Sequence, residues 1–375
     1  MLLLRAASAS GPEALAAWHE WLATGDLDDI DGASFAVMPQ VYEHLVVTGG
    51  EFEEAGRLQG MQRRQWYQNR ISMHALAQAA GVLAGAGIES MPLKGAALLL
   101  TAPGVSSSRG MSDVDLLVRP EDAVRAAEAL MAAGWIKGWA RMPAPAQAFA
   151  VMHAVPLRHT SGASLDLHRQ MLEDNRAPGI DAGAWKRARS VDIEGQAVRL
   201  PASEDLLVGV CVHGTRATPT RTIRWVLDVL ALLEADGASM DWDLVVRIAR
   251  RRRVTLAMAE ALRFAREEFG ADVPEAAISD LLRARRGWIE QLDYRAQGNK
   301  QRPAWAVAST FTRYLRQAQG QGVLHGARNF PAFLRTLWGV ERTRDVPLEG
   351  WRRLRALSAG RSYWQERRAR ERRAG

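Results

Sequence analysis

Strand-like patterning is confined to one window of this 375-residue chain, residues 88–200, and helical periodicity runs on both sides of it. Short apolar runs bounded by Gly and Pro occur there, whereas elsewhere apolar residues recur at offsets of three and four. A sheet drawn from so short a window is small, so most of the chain must bury its apolar surface helix against helix. The expected class is α+β: a small mixed-sheet core embedded in a mostly helical chain, with a C-terminal helical domain. Length alone suggests about two domains. The expected divisions are a helical region at 1–87, the α/β core at 88–200, a helical domain at 201–350 and a basic helical or disordered tail at 351–375.

Helical runs are expected at Pro12–Ala23 and Glu51–Gly87, the latter ended by Gly85 and Gly87. Ile88–Leu93 reads as a strand, Ala96–Thr101 as a short helix, and Pro103–Gly110 as a loop rich in Gly and Ser. Met111–Val118 reads as a second strand. A helix follows from Pro120 to Gly134, with Glu121 and Asp122 suiting its positive end. A third strand is expected at Phe149–His159. It turns through Thr160–Ala163 into a return strand, Ser164–Arg169. Loops are expected at Ala177–Gly179 and Gly320–Gly322. Past Pro201 the pattern is helical at Ser203–Gly214, Thr220–Glu234, Trp242–Arg252, Thr255–Phe269, Pro274–Leu292, Trp305–Arg316 and Pro331–Leu337, with a last helix in the tail.

Charge argues against a nucleic-acid-binding body. The net charge is +7, and residues 351–375, with nine Arg and two Glu, carry all of it. Nucleic acid is therefore a disfavoured partner, and the tail's Glu366/Arg370 and Arg367/Glu371 pairs suit an exposed helix. The Arg250–Arg253 run suits a helix C-terminus. A single cysteine, Cys211, excludes a disulfide framework and a Cys-rich zinc site. His153 and His159 share strand parity, but about 20 Å of strand would separate them, too far for one metal. No apolar run reaches membrane-spanning length and the first ten residues make no secretory signal, so a cytoplasmic location is expected. Only four of the 49 basic residues are lysines, one of them Lys94.

The chemistry-bearing pattern is acidic. Asp113-Val114-Asp115 places two carboxylates on one face of the second strand. They repel unless a cation lies between them, and a divalent metal is the simplest cation. Leu165-Asp166-Leu167-His168 presents Asp166 and His168 on one face of another strand. If the two strands are neighbours, Asp113, Asp115 and Asp166 converge as a two-metal phosphoryl- or nucleotidyl-transfer site requires. Lys94-Gly95 lies at a strand-to-helix turn, where free N–H groups and a lysine suit phosphate. Arg109, four residues before Asp113, offers a fork for phosphate oxygens. His168, His213, Arg224 and Asp228 are candidates for substrate contact or for support of the site. For His213, Arg224 and Asp228 a buried polar network remains an alternative, and for Arg221 a solvated helix face does.

These residues resemble a known family. Met91–Leu98, Arg109–Val118, Leu165–His168, and later His213 with Arg224–Asp228 are similar to the bacterial nucleotidyltransferase-like family of the polymerase-β-type nucleotidyltransferase superfamily. The resemblance implies a nucleotidyltransferase-like core and Mg²⁺- or Mn²⁺-dependent transfer of a nucleotide from an NTP. It implies Asp113, Asp115 and Asp166 as metal ligands, with two ions expected. The expected activity is transfer of NMP, AMP first, to a hydroxyl or similar group of a small molecule, peptide or protein. Two other readings stay open: a non-catalytic nucleotide-binding or scaffold subunit, and an RNA-end-modifying nucleotidyltransferase. The chain departs from the superfamily in having Lys94-Gly95 where Gly-Ser or Gly-Gly is usual, and in a gap of 17 residues between Gly95 and Asp113 that is longer than usual there.

Overall fold

The computed structural model describes residues 1–49, 51–102, 108–111, 113–139, 142–173, 177–215, 223–299, 302–317 and 323–358. Two expected loops fall partly or wholly outside them: much of Pro103–Gly110, and Gly320–Gly322. So do Arg221 and the tail beyond residue 358.

Among the described residues seven strands form two sheets. They are β1 (Ser90–Pro92), β2 (Val114–Val118), β3 (Ile136–Lys137), β4 (Ala154–Arg158), β5 (Ser164–His168), β6 (Arg189–Ile193) and β7 (Gln196–Leu200). The main sheet runs β1-β2-β5-β4-β3, and β6-β7 is a separate hairpin. β2 and β5 pair in parallel and every other pair is antiparallel, so the sheet is mixed. Among the described residues all strands lie within residues 88–200, and helices make up the rest of the regular structure. The small mixed sheet in a largely helical chain is thus the observed architecture.

Alternation along β2 decides what each sheet face does. Val114, Leu116 and Val118 join Leu165 and Leu167 of β5 against helices Ala55–Gly85 and Ala123–Ala132. Leu117 points the other way, into the apolar cluster built around helix Ser203–Gly214. Asp115, Asp166 and His168 share the parity of Leu117 and lie on that same second face. Helix Lys94–Thr101 packs beside them and contributes Ala97 and Leu98 to that cluster. One face is therefore closed by apolar packing, and the other carries the titratable groups.

Several expectations need correction. The Met111–Val118 strand begins only at Val114, so Asp113 sits in a bend before it. Phe149–Val151 is helical, not extended. The helix Pro145–Val151 starts on a proline at its first position and ends before β4. The β6–β7 hairpin lacked a Pro or Asn signal. It turns on Glu194 and Gly195, both at positive φ, in the manner of a two-residue primed turn. Pro274–Leu292 is two helices, Glu275–Arg283 and Trp288–Gly298. Pro331 lies inside helix Val323–Trp338 and does not open one. The Thr160–Ala163 turn forms as expected, with Gly162 at φ +86° and the His159 N–H donating to the Ala163 carbonyl at 2.9 Å.

Candidate active site

The strand register brings the acids together. In the parallel β2–β5 ladder Asp115 lies opposite Asp166, and Leu117 opposite His168. The Asp115 carboxylate is 4% exposed, which makes its partners decisive. Its Oδ1 accepts from Lys94 Nζ at 2.6 Å and lies 2.8 Å from His168 Nε2. Asp166 receives no hydrogen bond among the described residues. Asp113, half-buried at the mouth of β2, adds its charge to the field felt by both Lys94 and Asp166.

The electrostatics follow from that crowding. Burial alone would raise the Asp115 carboxyl, but Lys94 and then His168 hold it well below the ordinary carboxylate range. Burial would lower the Lys94 ammonium, but Asp115, helped by Asp113 and Asp166, holds it above its usual value. Asp166 has the opposite fate. Burial first, then the charges of Asp115 and Asp113, push it up to about 6 against the opposing pull of His168 and Lys94.

Asp115, Asp166 and His168 each offer one ligand atom, all within 4.8 Å of one another. Only small side-chain shifts separate that spacing from a coordination sphere. His168 supplies an independent test of fit. Its Nδ1 lies 3.2 Å from the Gln170 carbonyl, which only accepts, so Nδ1 carries a proton. That bond orients a metal-ligating histidine and leaves Nε2 for a cation. A cation at Nε2 would replace its present contact with Asp115. The residues therefore fit a divalent ion. Asp113, expected as a ligand, lies outside this group of three, and His168, expected as substrate contact or support, lies within it. The missed signal was the strand boundary: a bend before Val114 takes Asp113 out of the alternation.

Lys94 opens its helix at φ +46°, a left-handed conformation rare for residues other than Gly and costing about 1–3 kcal/mol. The ion pair with Asp115 holds it there. Gly95 has a packing task besides the one expected. A Cβ on Gly95 would fall 2.2 Å from Arg109 Nη1, so the glycine makes room for an arginine. Arg109 in turn is not free to clamp phosphate. Its Nε and Nη2 donate to the two oxygens of Asp228 at 2.7 and 2.8 Å, and Nη1 donates to the Gly110 carbonyl. Both side chains are 6% exposed. Asn69 completes the brace: its amide donates to the Arg109 carbonyl, and its oxygen accepts from the Met111 N–H. The loop leading to Asp113 is thus tied to two helices.

A cavity of about 270 Å³ opens beside Asp166, near the lower end of small-ligand pockets. Lys94 and His168 line it with Asp166, His153 and His213 face it, and Leu206 and Val210 supply apolar wall. The His153 ring stands edge-on to His168, with centroids 5.1 Å apart. His159 points elsewhere, its ring against Trp135.

The model of the family described as uncharacterised nucleotidyltransferase matches residues 36–270, which include every group of this site. The chain belongs to that family. Among curated proteins nothing matches it significantly. One solved structure with partial likeness is an antigenic nucleotidyltransferase-like protein from Paracoccidioides brasiliensis. It is 16% identical over 58% of this chain and 93% of its own, with a TM-score of 0.34, too low to carry an argument. Among the described residues no helix is long and apolar enough to cross a membrane.

Proposed function

We propose that this family member is an active, metal-dependent nucleotidyltransferase that moves NMP, AMP first, from an NTP to a hydroxyl of a small molecule. The observation that carries the reading is the register of β2 on β5, which sets Asp115 beside Asp166 with Lys94 and His168 closing on the pair. Asp115, Asp166 and His168 would hold a divalent ion, Mg²⁺ or Mn²⁺, with Asp113 near enough to serve a second. A divalent ion there supplies positive charge against the triphosphate and polarises the attacking oxygen.

The acceptor enters the cavity beside Asp166, whose enclosed size suits a small molecule better than a folded RNA end. Asp166, which lines the cavity, would take the hydroxyl proton. The acceptor oxygen forms a bond to the α-phosphorus, the bond from that phosphorus to the β-phosphate's bridging oxygen breaks, and pyrophosphate leaves. Lys94 supplies a point charge for the departing phosphates.

The test is incubation of α-labelled ATP, GTP, CTP and UTP with the protein, Mg²⁺ or Mn²⁺, and an extract of small metabolites. Label should move to an acceptor with the native protein and not with Asp115→Asn or Asp166→Asn. Transfer that survives both substitutions, or its absence in the native protein with every NTP, sinks the proposal.

A further inference from the structure

A second cavity, of about 250 Å³, lies among the helices and shares no lining residue with the one beside Asp166. Helix Ser203–Gly214 turns a different face to each: Gly209, Val210 and His213 line the first, and Val212 lines the second. The main wall of the second is helix Trp288–Gly298. Glu290, Asp293, Tyr294 and Gln297 line it at spacings of three and four, so they share one face. Helix Thr255–Phe269 brings Ala257 and Glu260 to the same space.

That wall leaves acceptors unspent. Glu290 is 5% exposed and has no basic partner among the described residues. Its Oε1 caps helix Thr255–Phe269, accepting from the Thr255 N–H at 2.9 Å and the Thr255 hydroxyl at 2.8 Å. The structural task ends there, because it uses one oxygen. Oε2 takes no hydrogen bond among the described residues and is not sealed in the packing, so it opens on the cavity that Glu290 lines. Gln297, two turns further on, also keeps its side-chain oxygen without a donor. The other acids of the cavity are matched. Asp293 accepts from the Thr312 hydroxyl at 2.9 Å and pairs with Arg316 at 3.3 Å. Glu260 accepts from the Tyr294 hydroxyl at 2.5 Å. A buried carboxylate with an idle oxygen and no cation is costly until a positive donor reaches it.

The rim has the opposite sign. Arg253 and Arg295 line the cavity as exposed residues, and neither guanidinium makes a hydrogen bond or ion pair among the described residues. A bare divalent ion is a poor occupant, since it needs several oxygens and Glu290 has one to spare. A phosphate alone would suit the rim but not the carboxylate beneath it. A molecule with a cationic end inside and an anionic end at the mouth satisfies both. The cavity lies near the lower end of the size range of ligand pockets, which favours a small one.

We propose that this cavity binds a small amino acid, its ammonium on Glu290 and its carboxylate at Arg253 and Arg295. The site is separate from the Asp115–Asp166 cluster, and the assignment stands whether or not the chain transfers nucleotides.

The experiment begins with thermal melting of the full chain in the presence of each standard amino acid and of 4-aminobutanoate. The one that raises the melting temperature most is then titrated calorimetrically. Two analogues are titrated beside it: its amide, which keeps only the ammonium, and its deamino acid, which keeps only the carboxylate. Each should bind the native protein about tenfold more weakly or worse. Glu290→Gln keeps an oxygen for Thr255 and removes the charge. It should weaken the amino acid and the amide about ten- to a hundredfold, and the deamino acid not at all. The double variant Arg253→Gln/Arg295→Gln should weaken the amino acid and the deamino acid about three- to fivefold and leave the amide unchanged. The proposal is overturned if no amino acid raises the melting temperature, or if Glu290→Gln binds the amino acid as native does. If Glu290→Gln melts early, the rim variant still decides, because it breaks no contact among the described residues. Equal affinity for the amide in native and rim variant, with a loss for the amino acid, supports the assignment; any other pattern sinks it.

Discussion

Two groups of ion pairs in this molecule, closed forks and an open cluster, separate scaffold from site. Arg109–Asp228 and Arg187–Asp205 are closed forks: two donors meet two oxygens at 2.7–2.8 Å, and each carboxylate is buried. The cluster on β2 and β5 is open. Lys94 and His168 crowd one oxygen of Asp115, while Asp166 lies beside them with no hydrogen bond among the described residues. Burial is similar in both, so burial does not distinguish them; saturation does. A saturated buried pair holds chain segments in place. An unsaturated one keeps free charge where a ligand could use it.

The largest way to break this contrast is to disarm the open cluster. Asp115→Asn should lower nucleotidyl transfer by about a thousandfold or more, since it removes the charge that holds Lys94 and that the proposed divalent ion would need. Single-turnover transfer measures it, and activity within about tenfold of native would place the chemistry elsewhere. Disarming the closed fork should act on stability. Asp228→Asn strands the Arg109 guanidinium in the interior and should cost about 3–5 kcal/mol in urea unfolding. A loss below about 1 kcal/mol would mean the brace is not structural. Gly95→Ala strikes the same brace from the other side. Its Cβ would meet Arg109 Nη1 at 2.2 Å and Met111 Cγ at 2.8 Å, so about 1–3 kcal/mol should be lost. Pairing Gly95→Ala with Arg109→Ala should erase most of that increment if the arginine is the obstacle.

How much of this was legible in the sequence follows from the range of each interaction. Leu165-Asp166-Leu167-His168 could be read because strand alternation is local, and the Thr160–Ala163 turn because Ser-Gly chemistry is local. That β5 lies beside β2 was an inference from converging acids, and the register bears it out. The brace was not legible: Arg109 and Asp228 are 119 residues apart, and an arginine beside an acidic motif reads as a phosphate ligand until its partner is seen. The packing role of Gly95 was hidden for the same reason, because its neighbour in space is that arginine. Asp113 was placed in β2 because Met111 extends the apolar pattern, yet the ladder begins at Val114. Phe149 and Val151 favour strands by type, but Pro145 starts a helix that carries them.

The smallest expected effect sharpens the comparison most directly, because only the open cluster should respond to pH near neutrality. Asp166 is the group in question, and Asp115, Asp113, His168 and Lys94 are the charges around it. Its folded-state value, about 6, lies above the ordinary aspartate value of 3.8. The native state therefore binds the proton more tightly than the unfolded chain does. That contribution is fully present below pH 3.8 and is lost as pH rises through 6, where ionised Asp166 becomes a cost. Asp115, held far below that window, does not titrate in it. A divalent ion competes with the proton on Asp166, so its stabilising effect should be weak at pH 5 and full by pH 7. The measurement is the difference in melting temperature between Mn²⁺ and EDTA at the two pH values. It should grow by a few degrees, about what 1 kcal/mol produces in a chain of this size. Asp166→Asn should flatten the dependence and should make the metal-free protein more stable than native at pH 7, and by less at pH 5. Equal increments at both pH values in the native protein would mean that Asp166 is not where proton and metal compete. The distinction between open and closed clusters would then rest on the Lys94–Asp115 pair alone.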